Sequence, residues 1–274
     1  MLKWKGTGNG RRRKGDLYSN RSSCHLRYFR AMPTCKNCAS EVTDAFCASC
    51  GQRADTRRIS WKWLGEEFLS SVFVLERGIL FTLKELFTRP GYMMREYLDG
   101  KRKAHFKPLS FVLVMAAVYS ILFRLMPPDY AMLDAPTKKI MEQMSFFMGQ
   151  YYALVELALV PIFAMFTWLF LRKYGHNFAE HLVIQAFLSG QRIFFNVISV
   201  PINLLGFKAA LTASMILFLA YGVAILVAFI QLYRDRSLAI VMVRVLAAFG
   251  LFFFILLVGS MALGVYMAVR TGGG

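Results

Sequence analysis

Five apolar segments, each near the length of a membrane-crossing helix, constrain the fold of this chain more than any other feature. They cover residues 109–126, 151–171, 182–207, 209–232 and 242–269. A helix of roughly 20 apolar residues crosses the ~30 Å hydrocarbon layer and satisfies its own backbone hydrogen bonds there. The hydrophobic content of 57% also exceeds that of a soluble globular chain. We therefore predict an all-α polytopic membrane protein with about five transmembrane helices, bundled over residues 108–271.

The charges divide the chain into a basic front and a charge-poor back. Residues 1–107 carry 22 Lys and Arg against 10 Asp and Glu, a net charge of +12, whereas residues 108–274 carry 11 against 6. Because basic segments next to a span resist translocation, the front is expected to be cytoplasmic. Five spans then place the carboxyl terminus on the opposite side of the membrane. The tight junction near Phe207 leaves open that the third and fourth spans form a re-entrant hairpin instead.

Residues 1–33 are predicted to form a disordered basic arm. Within residues 1–31, nine Lys and Arg stand against the single Asp16, and no apolar run typical of a signal peptide occurs. The arm is interpreted either as a surface for membrane or nucleic acid or as a misassigned start, with Met32 the true first residue. The second interpretation is favoured because the organised sequence begins directly after Met32. Cys24 falls in this arm and is expected to be a free thiol without a role.

Two Cys-x-x-Cys pairs predict a small zinc ribbon over residues 34–53. Its candidate metal ligands are Cys35, Cys38, Cys47 and Cys50. A two-residue spacing lets both sulfurs of a pair reach one ion at about 2.3 Å, and four thiolates leave no open position, so the zinc would be structural. Residues 40–46 could form the short hairpin of a minimal ribbon. The alternatives are an iron centre of the rubredoxin type and two disulfides, and disulfides conflict with a cytoplasmic location.

Residues 59–107 predict amphipathic juxtamembrane helices rather than spans. Apolar side chains recur at spacings of three and four residues, at Trp61, Leu64, Phe68, Val72, Leu75, and again at Ile79, Leu83 and Leu86. The opposite faces carry polar side chains, namely Lys62, Glu66, Glu67, Ser70, Lys84 and Glu85. Arg89-Pro90-Gly91 interrupts the pattern, and a third short helix ends near Gly100. Two interpretations stay open: the helices lie on lipid at the interface, or they pack on other parts of the protein.

Four cations before the first apolar segment are candidates for contacts with lipid headgroups. They are Lys101, Arg102, Lys103 and Lys107. Each basic residue close to an anionic membrane surface contributes about 1 kcal/mol of attraction. The cluster would also orient the first span, and orientation alone would explain its presence.

The third apolar segment carries a polar stripe that consists of His181, Gln185, Ser189, Arg192, Asn196, Ser199 and Asn203. Steps of three and four residues place all of these side chains on one helix face. Arg192 lies near the middle of its span and needs an anion, because an unpaired charge there is costly. Glu156, the one carboxylate inside any apolar segment, is the first candidate, and Arg124 is a rival partner for it.

The predicted intramembrane polar site therefore consists of Glu156, Gln185, Arg192, Asn196 and Asn203. Hydrogen bonds between helices that hold the bundle together are the favoured interpretation of the stripe. A transport pathway along the third span is the alternative. The two differ in whether the stripe faces other helices or an open cavity.

No residue pattern in the sequence is typical of an enzyme. Glu180-His181 lacks the second His of a zinc protease motif, and no Gly-rich phosphate loop or Ser nucleophile motif occurs. Nucleic-acid binding is not expected either, because the ribbon offers only Lys36 and Phe46 between its outer cysteines. The sequence favours a non-enzymatic membrane scaffold or partner-binding module, whose partners would be membrane lipids and a protein at the ribbon. A small-molecule or ion transporter is the alternative.

Several motifs together resemble one family of bacterial membrane proteins. They are Cys35-x-x-Cys38, Cys47-x-x-Cys50-Gly51-Gln52, Leu83, Arg89-Pro90-Gly91, Arg95-Glu96-Tyr97, Gly100-Lys101-Arg102, Pro108 and Asn177-Phe178-Ala179-Glu180-His181. In this order they resemble the family called domain of unknown function family 3667, from about Thr34 to the carboxyl end. The resemblance implies a bacterial inner-membrane protein with a cytoplasmic zinc ribbon, and it implies no activity.

The expected topology can be tested with reporters of cellular compartment. An alkaline phosphatase fused after Arg270 should be active, because five spans and a cytoplasmic front place this position in the periplasm. An inactive phosphatase together with a fluorescent cytoplasmic reporter at the same site would indicate an even number of spans.

Overall fold

The computed structural model describes residues 34–71 and 78–271, and the chain divides into two compact units after Ala54. The basic arm and the predicted helix positions Val72 and Leu75 lie outside the described residues. In the first unit, residues 34–54 form two short loops around the four cysteines. Its only β pairing within the described residues consists of two isolated bridges, Thr34 with Glu41 and Phe46 with Arg53.

The regular secondary structure in the described part of the second unit is all helical. Its helices are α1 Trp61–Ser71, α2 Ile79–Thr88, α3 Pro90–Asp99, α4 Pro108–Leu125, α5 Ala135–Leu171, α6 Phe178–Ser199, α7 Phe207–Leu232 and α8 Leu238–Thr271. Short 3-10 turns follow α5 at Arg172–Tyr174 and α6 at Val200–Leu205. Five of these helices, α4 to α8, are long and apolar enough to cross a membrane. The prediction of an all-α polytopic protein with a four-cysteine module is therefore confirmed.

Two helices differ in extent from the apolar segments predicted as spans. Helix α5 begins at Ala135 rather than at residue 151, because Asp134 caps its N-terminus by accepting a hydrogen bond from the Thr137 backbone N–H. The α-helical part of the third span stops at Ser199 rather than near residue 207. Pro201 has no N–H to continue the α-helical hydrogen bonds, and the chain changes to a 3-10 turn there.

Helix α6 is the most buried of the five long helices, and it lies between α4, α5 and α7. On the apolar side of α6, Ile184, Phe187 and Leu188 are completely buried. Gly190 permits a close approach of α4: a Cβ at this position would lie 2.2 Å from the Phe111 ring. This packing leaves the polar stripe directed toward α5 and α7.

Helices α2 and α3 pack on the bundle, as one of the two interpretations predicts. In α3, Met93, Met94 and Tyr97 are buried. The expected solvent-facing position of Glu85 in α2 is wrong, because this side chain is buried and forms an ion pair with Arg89. A buried carboxylate requires a cationic partner, and Arg89 at the α2–α3 junction supplies it.

A close backbone contact fixes α3 against α7. The Gly91 N–H, in the first turn of α3, donates a 3.0 Å hydrogen bond to the side-chain carbonyl of Gln231. First-turn N–H groups lack partners within their own helix, so Gln231 satisfies one of them. A Cβ on Gly91 would lie 2.1 Å from the backbone oxygen of Ala228. Only glycine fits here without displacing one of the two helices.

Substitution Gly91→Ala should therefore destabilise the protein by about 1–3 kcal/mol or more, the usual effect of forcing atoms into a packed contact. Thermal unfolding in detergent measures the effect. The matched control is Gly250→Ala in α8, where an added Cβ has no neighbour within 4 Å, and which should be neutral or slightly stabilising. Equal melting temperatures for the two variants would contradict the close contact.

Candidate metal centre and intramembrane polar site

The first unit consists of two loops with the same backbone pattern. In the first loop, the Ala39 N–H donates to the Cys35 carbonyl, and in the second the Gly51 N–H donates to the Cys47 carbonyl, each at 2.8 Å. Ala39 and Gly51 both adopt left-handed conformations, with φ of 61° and 72°. The bridges close each loop separately, so the predicted hairpin across residues 40–46 is replaced by two loops that each present one Cys pair.

The four sulfurs of these loops converge on one point. All four Sγ atoms lie within 4.8 Å of one another, and the closest pairs are Cys38–Cys47 at 3.5 Å and Cys35–Cys50 at 3.6 Å. A tetrahedral site with 2.3 Å metal–sulfur bonds places its sulfurs about 3.8 Å apart. These separations are far too long for disulfides, and all four thiols are free. The cluster therefore fits one metal ion.

The environments of the thiols differ between the loops. Hydrogen bonds with the Ser40 side chain and backbone lower the pKa of Cys38 to about 6. Burial instead raises the pKa of Cys50 to about 11. A metal ion would have to displace the Cys50 proton, and binding at this cluster would therefore weaken as pH falls.

One end of the polar stripe bonds to α5. Thr167 lies between two stripe side chains: its hydroxyl is 3.2 Å from Nδ1 of His181 and accepts a 3.2 Å hydrogen bond from the Gln185 amide. Thr167 is itself completely buried and also donates to the Phe163 carbonyl. A hydroxyl with two acceptor positions and one donor can satisfy all three groups.

An ion pair lies at the middle of the stripe. Arg192 of α6 donates to the carboxylate of Glu156 of α5, and the Glu156 side chain is only 3% exposed. The rival cation, Arg124, donates instead to the backbone carbonyl of Gly149 at 3.2 Å. Glu156 is thus the partner of Arg192, and the pair joins α5 to α6 inside the apolar bundle.

The far end of the stripe also bonds to its neighbours. The Asn196 amide donates to the Tyr152 hydroxyl at 2.8 Å, and the Asn203 amide donates to the Met126 carbonyl at 3.0 Å. Ser199 differs, because its hydroxyl donates to the Asn196 carbonyl of its own helix. Most of the stripe therefore forms interhelical hydrogen bonds, as the favoured interpretation predicts.

The middle of the stripe also borders a cavity of about 730 Å³ between α5, α6, α7 and α8. Four stripe side chains form its α6 wall, namely Gln185, Ser189, Arg192 and Asn196. The remaining walls are mostly apolar, with Phe163 from α5 and Phe249 from α8 among them. The stripe thus faces neighbouring helices at its ends and a cavity at its middle. From the sequence alone, these two arrangements are alternatives.

The four cations proposed for lipid headgroups do not share one environment. Arg102 folds back onto the protein, where it donates to the Arg57 carbonyl at 2.9 Å and lies 4.6 Å from the Trp63 ring centroid. Lys101 lies 3.7 Å from the Glu96 carboxylate. Lys103 is exposed and Lys107 is half-buried. Arg102 is therefore chiefly a structural contact for α1 and α3.

Glu180 and His181, the one acid–base pair considered from the sequence, have separate structural partners. Glu180 accepts from the backbone N–H of Asn177 in a capping box and pairs with Arg58 at 2.7 Å. His176, in the loop before α6, lies 3.0 Å from the Tyr233 hydroxyl, and burial lowers its pKa. These contacts fix the start of α6.

Several partners of the stripe gave no clear signal in the sequence. Nothing in the sequence around Thr167 and Tyr152 indicates that they form hydrogen bonds with Gln185 and Asn196 of α6. Gln191 lies off the stripe, and its buried amide donates to the Leu86 carbonyl of α2 at 2.9 Å. A Gln within an apolar span was the one available signal, since a buried amide needs a partner.

Comparison with known proteins gives one match. A family model described as "Protein of unknown function (DUF3667)" matches residues 76–120, which include α2, α3 and most of α4. The resemblance inferred from the sequence motifs is thereby confirmed for this segment, which is less than half of the 274-residue chain. No curated protein and no solved structure matches the chain.

The Arg192–Glu156 pair can be measured with a double-mutant cycle. Arg192→Leu alone leaves Glu156 buried without its cation, which should cost about 3–5 kcal/mol, whereas adding Glu156→Leu should recover part of that loss. Thermal stability in detergent of both single variants and the double variant gives the coupling. The control cycle combines Arg124→Leu with Glu156→Leu and should be additive. Additive losses in the first cycle would reject the ion pair.

Proposed function

We propose that this chain is a non-enzymatic membrane scaffold of the bacterial inner membrane, with a cytoplasmic ribbon that holds one structural zinc and binds a protein partner. The observation that carries the proposal is the convergence of four cysteine sulfurs within 4.8 Å. A small module with almost no apolar core needs another source of folding free energy. A bound metal supplies roughly 10–16 kcal/mol in comparable peptides.

Zinc fits this donor set better than the other common cations. Ca²⁺ and Mg²⁺ prefer oxygen ligands, whereas four thiolates in tetrahedral arrangement suit zinc or iron. The four cysteines fill every position of a tetrahedral ion, so the metal has no place for a substrate. Its role in the proposal is therefore to fix the two loops and the surface that they display.

The ribbon surface offers one side chain suited to a protein contact. Phe46 begins the second loop, where it pairs with Arg53, and it is 58% exposed, although moving a large aromatic ring out of water is favourable. Aromatic residues are enriched at the centres of protein interfaces. The proposed cytoplasmic location follows from the +12 net charge of residues 1–107, with exposed Lys101 and Lys103 toward anionic lipid.

Metal analysis of the purified protein tests the zinc centre. The wild type should contain about one zinc per chain, and Cys38→Ser should lose most of it because only three thiolates remain. Cys24→Ser is the matched control, and it should retain the metal because Cys35, Cys38, Cys47 and Cys50 already fill a tetrahedral ion. Wild-type protein without zinc, or an iron content of one per chain, would reject this centre.

Crosslinking in living cells, followed by mass spectrometry, tests the scaffold. Phe46→Ser and Cys38→Ser should lose the same crosslinked protein, whereas Cys24→Ser should retain it and Phe46→Ser should also keep its zinc. This pattern separates a lost contact surface from an unfolded ribbon. An identical set of crosslinks in the wild type and in all three variants would reject partner binding through the ribbon.

A transporter is the second candidate function, and the cavity beside the polar stripe favours it. A transport pathway must open in turn to each side of the membrane. A cysteine introduced by Ser189→Cys would then react with a membrane-impermeant maleimide applied to either side of sealed vesicles. Protection from both sides would favour the scaffold over the transporter.

A further inference from the structure

The cavity between α5, α6, α7 and α8 opens toward the surface where α7 and α8 carry exposed apolar side chains. The lining residues Phe218, Val223 and Leu246 are 61%, 61% and 55% exposed, and Phe253 is 48% exposed. On a membrane-spanning helix, exposed side chains of this kind contact lipid chains. A molecule dissolved in the lipid could therefore enter the cavity sideways between α7 and α8.

The inner wall offers hydrogen-bonding groups that the bundle does not use fully. Ser189 lines the cavity and is only 2% exposed, and its hydroxyl makes no hydrogen bond to any residue that the structure describes. Arg192, also in the wall, has five N–H donors and uses its terminal nitrogen for Glu156. A hydroxyl that lines a cavity and has no protein acceptor can donate to a bound molecule, so an acceptor on that molecule would be stabilised here.

The net charge of the cavity wall favours an uncharged acceptor on the ligand over an anionic one. Glu156 already neutralises Arg192, and the cavity lining contains no other charged residue. An anion would enter an electrically neutral wall and would lose its hydration without gaining a counter-ion. An uncharged carbonyl or hydroxyl oxygen avoids this cost.

The composition of the other walls favours an aromatic ring. The Phe163 ring packs on Phe249 and Phe252, with centroids 5.7 and 4.3 Å apart, and these three rings form an aromatic part of the wall; Tyr221 of α7 also lines the cavity. Such walls stack on planar ligands. The volume of about 730 Å³ lies within the range of small-molecule sites.

We propose that this cavity binds an uncharged lipid-soluble molecule with a carbonyl-bearing ring, the class to which membrane quinones belong. Its oxygen accepts hydrogen bonds from Ser189 and Arg192, its ring packs against the aromatic wall formed by Phe163, Phe249 and Phe252, and its apolar chain leaves between α7 and α8. The site uses residues of the second unit alone and does not depend on the proposed metal centre. Binding requires no transport, so the inference stands apart from both candidate functions.

Equilibrium binding in lipid nanodiscs tests the site, with a radiolabelled, fully substituted benzoquinone that carries a decyl chain. The wild type should bind it saturably above the partition into empty discs. Gly222→Leu should reduce the affinity at least tenfold, because Gly222 lines the cavity and an added Cβ meets nothing within 4 Å, so the new side chain fills free space. Gly250→Leu is the matched control outside the lining and should bind as the wild type does.

The hydrogen bond is tested by Ser189→Ala, which should weaken binding about three- to tenfold while leaving the melting temperature nearly unchanged. Two competitors separate the possible occupants. Decylbenzene, which has no oxygen, should displace the quinone poorly, and so should palmitate, whose headgroup is anionic. Equal displacement by decylbenzene would mean an apolar groove filled by bulk lipid chains, and equal affinity of Gly222→Leu and Gly250→Leu would place the ligand elsewhere. Either outcome overturns the proposal.

Discussion

The cost of a charge inside an apolar bundle determines how the long helices are arranged. Arg192 lies in the most buried of the five long helices, and its guanidinium is stable there only beside an anion. Glu156 supplies that anion from α5 and thereby fixes how far α5 and α6 are shifted along each other. In this register, the Gln185 amide donates a hydrogen bond to Thr167 and the Asn196 amide donates one to Tyr152. The apolar face of α6 is left for α4, against Phe111 and Gly190.

The parts of this structure that could be predicted from sequence are those that a local pattern encodes. Five long apolar runs identify the membrane helices, and the two Cys pairs identify the metal-binding loops, because each pattern needs only neighbouring residues. The partner of Arg192 was also predictable, since only one carboxylate occurs within an apolar segment. When the apolar segments contain only one possible partner for a charge, the pair can be assigned from the sequence without a structure.

The parts that could not be predicted depend on contacts between distant residues. Periodicity placed Glu85 on a solvent face, but α3 covers this side of α2 and Arg89 pairs with the carboxylate. The contact between Gly91 and Gln231 joins residues 140 positions apart, and no local pattern assigns one to the other. Helix α5 extends beyond its apolar run because Asp134 caps it, and hydrophobicity does not report a cap. The cavity has no sequence signature at all, because four helices form it.

The polar stripe shows how a folding requirement and a binding site can share one helix face. At both ends of the stripe, each side-chain amide has a protein partner, which is what stability inside an apolar bundle demands. Ser189 interrupts this pattern, since it lines the cavity and its hydroxyl bonds to no described residue. Such a hydroxyl can donate to a ligand in the cavity, because no acceptor in the described part of the chain competes for it. The middle of α6, rather than its well-bonded ends, is therefore where the bundle is best suited to recognise another molecule.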